Sequence, residues 1–442
     1  MKTTLLLSPL LLLSACNADK LLDLSEPTRI PIQKSNAVNC PQWNSGDTID
    51  ISEDTLIPRG CAYDKVSFTL STSNITFDCN NAELNGLGKT KRNALYRRYK
   101  MEEVPINTAF NILGSENNFL QNITIKNCNL HFYINGFNIG FKLKQTTHDD
   151  LKSRRNIEAL ENHLRTLSPK NIRIENNKII GSHKSGIFIQ RYITGLVANN
   201  NTIDGAGDMG VYLESGSQKN IISNSTFTKN GETTYDIEDR KRKLRVRKRE
   251  AIAVDSSAYN IIKNNKFINN GGGAIFIYKN CYERYEEASQ LPRYQSSDFN
   301  LIENNLFSDE RKGVWIASRQ SRDLENFTCG DLSLLVTDKK EKYYEDFAKN
   351  NKVLNNTFDN NEKAVIVEDD NNTISNNLFK NTKRKDIIIG TDKAVKDVHS
   401  VKGTIVENNT FSSKPGVWLR YNPTNSVFKD NVPPVVPSES SK

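Results

Sequence analysis

Down the second half of the chain, an asparagine–asparagine–any–Phe/Ile pattern recurs. Its first asparagine falls at Asn176, Asn200, Asn224 (where Ser225 takes the second place), Asn264, Asn304, Asn355, Asn376 and Asn408. Three residues on, in the same order, stand Ile179, Ile203, Phe227, Phe267, Phe307, Phe358, Phe379 and Phe411. Units this short, with one apolar residue at a fixed place, cannot bury a core alone and must stack. The asparagine column predicts a ladder of side-chain amides bonding to the turns above and below. The Phe/Ile column predicts a stack inside a tube. A helical repeat fits poorly, because the segments are rich in Ile, Val, Phe and Asn and have no 3.6-residue period.

Each motif is followed by a small residue and an alternating strand. These strands read GIFIQ (186–190), GVYLE (210–214), AIAVD (251–255), AIFIY (274–278), GVWIA (313–317), AVIVE (364–368), DIIIG (386–390) and GVWLR (416–420). Strand side chains alternate between faces, so the second and fourth residues, all Ile, Val or Leu, point into the tube. The third and fifth columns are then expected to face out. The predicted fold is all-β, a right-handed parallel β-helix with loop insertions flanking one sheet. A solenoid grows along one axis, so its 442 residues reduce to one domain, 38–430, with a disordered tail at 431–442.

The outward columns place Phe188, Tyr212, Phe276 and Trp315 beside Glu214, Asp255 and Tyr278. Aligned exposed rings need a reason, and flat rings among hydrogen-bonding groups suit the faces of pyranose sugars. Motif spacing is 24 residues in an uninterrupted coil, and 40, 40 and 51 where residues 228–250, 279–299 and 318–350 enter. An earlier insertion, about 144–169, is patterned like a helix. Loops on one face of a rigid scaffold commonly build binding sites, so a walled groove is expected, lined by Tyr212, Phe276, Tyr278, Trp315, Phe188 and His183.

The first residues change where such a groove would work. Residues 1–15 pair Lys2 with an apolar run too short to span a bilayer. Leu13-Ser14-Ala15-Cys16 resembles the lipobox of bacterial lipoproteins, which implies acylation at Cys16, a tether over 16–37 and a lipid anchor on the outer membrane. Six further cysteines favour disulfides outside the cytoplasm, with Cys40–Cys61, Cys79–Cys128 and Cys281–Cys329 the expected pairs. No Cys/His pattern suggests zinc.

Net charge is only +8, but Arg240 to Arg249 reads RKRKLRVRKR, a run able to attract a polyanion. With a lipid tether, an acidic polysaccharide is the expected partner. Nucleic acid is not expected, and a monomer is. Glu214 and Asp255 occupy one outward column on successive coils, about 5 Å apart at strand spacing, which is the separation of a retaining glycosidase pair. With Asp208 they could instead hold calcium through oxygen ligands; no other cofactor is implied. A cationic set, with Lys279 or Lys184 as base and Arg191 and Arg319 stabilising a substrate carboxylate, suits uronide β-elimination.

The repeat over roughly 65–430 resembles that of β-helix proteins of the pectate lyase and alginate lyase type. The resemblance implies a carbohydrate-active protein with substrate lying along one sheet. The Asp-Pro-His-Asp signature of mannuronan epimerases is absent, and no catalytic residue carries over from any one family. Three readings follow: a polysaccharide lyase, a glycoside hydrolase using Glu214 and Asp255, or a non-catalytic glycan-binding or surface-assembly protein.

Overall fold

The computed structural model describes residues 39–86, 94–96, 100–101, 107–235, 245–283, 285–287, 289–323, 329–330, 334–336, 342–393, 395–396, 399–421 and 423–439. The expected leader, Cys16 and the tether lie outside the described residues, as does 240–244 of the basic run.

Asparagine makes each coil turn. The first residue of every pair takes a left-handed conformation, with φ of 58° at Asn176, 54° at Asn200 and 55° at Asn304, a region Asn enters more readily than other non-glycine residues. The second residue builds the ladder. Asn305 Oδ1 accepts the Asn265 backbone N–H at 2.9 Å, while Asn305 Nδ2 donates to Ile262 O at 2.9 Å and to Asn356 Oδ1 at 3.0 Å. Two further ladders run beside it, one through Asn220, Asn260 and Asn300, the other through Asn230, Asn270 and Glu310. The motif read from the sequence covers only the first of the three.

Between the turns run three parallel sheets of 13, 12 and 11 strands. In the first sheet Ile187, Val211, Ile252, Ile275, Val314, Val365, Ile387 and Val417 are in register from coil to coil. All are buried, so the inward column is as expected. The Phe stack follows, with Phe227–Phe267, Phe267–Phe307 and Phe307–Phe358 centroids 4.9, 5.0 and 4.7 Å apart, the spacing of neighbouring strands. Where glycine holds the place ahead of the inward column it is a packing requirement: a Cβ on Gly313 would lie 2.6 Å from Ala364 O.

All three expected disulfides are formed. Cys40–Cys61 and Cys79–Cys128 close the first coils, and Cys281–Cys329 joins two insertions. The tail departs from expectation. Asn431 is buried and accepts the Asn409 N–H at 3.0 Å, and Ser438–Glu439 adds a strand beside Val417–Leu419. The ladder amide at Asn431 extends the solenoid one step beyond the last recognisable motif.

The insertions fold as separate small units. One forms helices α1 (Gln145–Ser153) and α2 (Ile157–Leu167). Another, with a segment the sequence pattern left unassigned, makes an antiparallel sheet in the order Arg245–Lys248, Glu232–Tyr235, Ala94–Tyr96, Lys100–Met101.

Candidate functional site

The insertions cover part of the outward face that was expected to be open. Residues 289–299 fold back over the C-terminal ends of the first-sheet strands. Tyr294 Oη donates to Leu151 O at 2.5 Å, and Gln295 Nε2 donates to Ser217 O at 2.8 Å. Arg165 of α2 donates to Gly216 O at 2.9 Å, and Arg191 donates to Leu291 O and Pro292 O, both at 3.1 Å. Asp255 and Tyr278 are thereby fully buried.

This overturns the carboxylate pair. Asp255 Oδ2 accepts the Tyr212 hydroxyl at 2.7 Å and Asn280 Nδ2 at 2.6 Å, and lies 3.6 Å from Arg293 Nε. Its Oδ1 accepts Ser256 Oγ at 3.1 Å and the Asn280 N–H at 3.0 Å. Burial pushes its pKa up, yet Arg293, Asn280, Tyr212 and Arg319 together hold it below the ordinary value. Glu214 pairs separately with Arg191 at 3.6 Å. A nucleophile must meet substrate, and a calcium cage needs carboxylate oxygens that are not already engaged. Asp255 offers neither, so Asp208, Glu214 and Asp255 do not make a shared centre.

The proposed cations also separate. The Lys279 backbone N–H donates to Asp346 Oδ1 at 2.5 Å and its ammonium lies 4.8 Å over the Phe347 ring, inside the insertions. Lys184 is exposed. Burial pushes the neighbouring His183 down to about 4, against the opposing pull of Asp208. Phe188 and Tyr212 stack on one another at 5.4 Å and are only half-buried.

A cavity of about 340 Å³ opens instead beside strands Glu250–Asp255, Gly273–Tyr278 and Lys312–Ile316. Phe276 and Trp315 meet edge to face at 5.3 Å and form its floor. Lys248, Arg249, Arg311, Lys312, Arg319 and Arg322 line it against two acids, Glu250 and Asp392. Behind the lining lies a network centred on buried Tyr278. Tyr278 Oη donates to Glu250 Oε1 at 2.9 Å and accepts Arg249 Nη2 at 3.2 Å, while the Arg319 guanidinium lies 4.4 Å over the Tyr278 ring. Of the sequence-derived set, Arg319, Phe276 and Trp315 line the cavity.

Lys312 is the residue with unusual chemistry here. Its ammonium sits 4.5 Å over the Trp315 ring and 5.5 Å over Phe276. Burial, then Arg311 and Lys363, push its pKa down to about 8, against Glu362 and Glu250. On the next coil buried Glu368 accepts Ser321 Oγ at 2.9 Å and Arg420 Nη1 at 3.3 Å, and burial raises it to about 7. Lys312 and Glu250 were missed because the strand pattern begins one residue later, at the small residue, and Arg322 because it sits in an insertion that no periodicity places. A signal existed: Lys312, Lys363 and Lys385 are in register at the first position of three successive strands.

Coils closed by amide ladders and carrying one loop-walled face define a parallel β-helix protein. Residues 32–249, 168–327 and 251–432 match the family model described as right handed beta helix region, and the chain belongs to that family. Among solved structures it is similar to the A-module of the Azotobacter vinelandii mannuronan C-5 epimerase AlgE6, with 11% identity over 90% of this chain and 88% of that one, and a TM-score of 0.52. The AlgE4 A-module from the same organism (10% identity, 85% and 89% coverage, TM-score 0.47) and a Yersinia enterocolitica family 28 exopolygalacturonase (13%, 90% and 72%, 0.47) also match. Likeness at these identities is likeness of fold. No curated protein sequence matches the chain.

Proposed function

We propose that the protein cleaves an acidic polysaccharide by β-elimination in the cationic cavity, with Lys312 as the base. The observation that carries this reading is Lys312 itself, an amine with a pKa of about 8 lying over two aromatic rings. General bases work best with a pKa near the operating pH, and burial beside other cations is a physical route to such a lysine.

A uronate ring resting on Trp315 and Phe276 would present its carboxylate to the guanidinium groups of Arg249, Arg319 and Arg322. These neutralise charge as it builds on the carboxylate in the transition state. The neutral Lys312 amine takes the C5 proton. The C–H electron pair becomes the C4–C5 double bond as the C4–O bond breaks. The departing oxygen recovers a proton from the Lys312 ammonium or from water, leaving one unsaturated end and one new reducing end. The fold is one that a mannuronan C-5 epimerase also uses, in keeping with a sugar-acid substrate. The same reading takes the lipobox at face value and holds the protein to the bacterial outer membrane through Cys16.

Incubation with uronic and sulfated polysaccharides tests the reading. Ultraviolet absorbance rising together with reducing ends supports it, and both signals should vanish in Lys312→Met. Reducing ends without absorbance would replace elimination by hydrolysis. Binding without any product would make the cavity a glycan-binding site. Palmitate labelling that persists in Cys16→Ser would remove the anchor.

A further inference from the structure

Away from the cavity, the turn after strand Lys363–Val367 carries Asp369 and Asp370, and the stretch bearing Asp392 brings His399 onto them. One ligand atom from each of the three lies within 4.8 Å of the others. His399 Nε2 is 3.6 Å from Asp369 Oδ1, on a side chain only 10% exposed. That nitrogen has no hydrogen-bond partner among the described residues. A buried polar atom left in this state is unfavourable, so something is expected to fill the position.

Both carboxylates are aimed by the backbone. Asp369 Oδ2 accepts the Ala348 N–H at 2.7 Å and its Oδ1 the Asp370 N–H at 2.8 Å, while Asp370 Oδ1 accepts the Lys402 N–H at 2.9 Å. Such outer bonds orient ligands and leave lone pairs for a cation. A cation already hovers there. The Lys349 ammonium is 3.4 Å from Asp370 Oδ2 and 3.9 Å from Asp369 Oδ1, on a side chain 29% exposed that has room to withdraw into water.

We propose that Asp369, Asp370 and His399 bind one divalent transition cation of the zinc or manganese type, for which the Lys349 ammonium stands in. One imidazole nitrogen with two carboxylate oxygens suits such ions better than calcium, which takes oxygen ligands only. Ligands at about 2.1 Å from a common ion stand roughly 3.4 Å apart in a tetrahedron, so side-chain shifts on the order of 1 Å would close the site. The ion would tie down the stretch that supplies the cavity's far wall. Asp392 pairs there with Arg420 and donates its N–H to Ser321 Oγ at 2.9 Å, and both Asp392 and Ser321 line the cavity. Nothing in this proposal depends on the polysaccharide reading.

The test uses the full chain, stripped with a chelator and titrated separately with ZnCl2 and MnCl2 by calorimetry, with Tm measured in parallel. At least one ion should bind once per chain and raise Tm. His399→Ala should lower that affinity at least tenfold and abolish the Tm increase, with an unchanged circular dichroism spectrum. Lys349→Met, which removes the competing ammonium and no ligand, should tighten binding at least threefold. Failure of both ions to bind, retention of the site in His399→Ala, or weaker binding in Lys349→Met would each overturn the proposal.

Discussion

Arg293 brings its guanidinium 3.6 Å from the carboxylate of Asp255, a residue with no solvent exposure. One residue belongs to an insertion and the other to the first sheet, so this pair is where loop and solenoid become one body.

Removing one partner strands the other. Arg293→Ala leaves a buried carboxylate without its cation, and breaking a buried pair in this way typically costs about 3–5 kcal/mol. Urea unfolding should show a loss of that order, and Asp255→Asn in the same background should recover part of it. The pH dependence has a definite sign. The folded pKa of Asp255 lies below its ordinary value, so its contribution is present above about pH 4 and lost as pH falls through the folded value.

Lys312 must be neutral to accept a proton, so the rate of unsaturated-end formation should rise through pH about 8 and level off above it. Lys363→Ala removes a neighbouring cation and should move that limb to higher pH. Stability follows the same group. Its folded pKa lies below the unfolded value of about 10.4, so the folded state binds fewer protons between these values and stability rises with pH across that window. Lys312→Met should abolish both dependences without unfolding the chain; a limb unmoved by either variant would remove Lys312 as the base.

Asn305→Ala breaks the ladder in mid-tube. It deprives both the Asn265 N–H and Asn265 Nδ2 of their shared acceptor, Asn305 Oδ1, and each unsatisfied buried group costs about 1–3 kcal/mol. A stability loss on the order of 3 kcal/mol is expected in chemical denaturation. A loss under about 1 kcal/mol would mean water replaces the amide.

Cys281 and Cys329 join two insertions rather than two coils. Replacing both with Ser should speed proteolysis within 318–345 severalfold and leave the unfolding of the solenoid nearly unchanged. A large drop in solenoid stability would show that the insertions help hold the coils.

The tube was legible in the sequence because its constraints are local and repeated. A Phe at one place per coil must stack on the next Phe, and an apolar column must point inward. The outward face was only half legible. The alternation places Asp255 and Tyr278 outside the tube, which is true of the strand. Whether outside means solvent depends on Arg293, Tyr294 and Gln295, and no periodicity fixes where those residues land. Lys312 was overlooked for a related reason. Its pKa comes from burial and from Arg311 and Lys363, and Lys363 lies one coil away, 51 residues later in the chain.

The turns of the tube are closed by polar side chains, mostly amides, whose partners lie in the adjoining coils, and the chain between two closures keeps no account of its length. Coils of 24 residues and of 51 residues therefore sit in the same rail at the same pitch. New loops can be grafted onto this rail, lengthened or exchanged, without retuning the tube beneath them. Chemistry on this scaffold is open to revision one loop at a time, while the rail stays as it is.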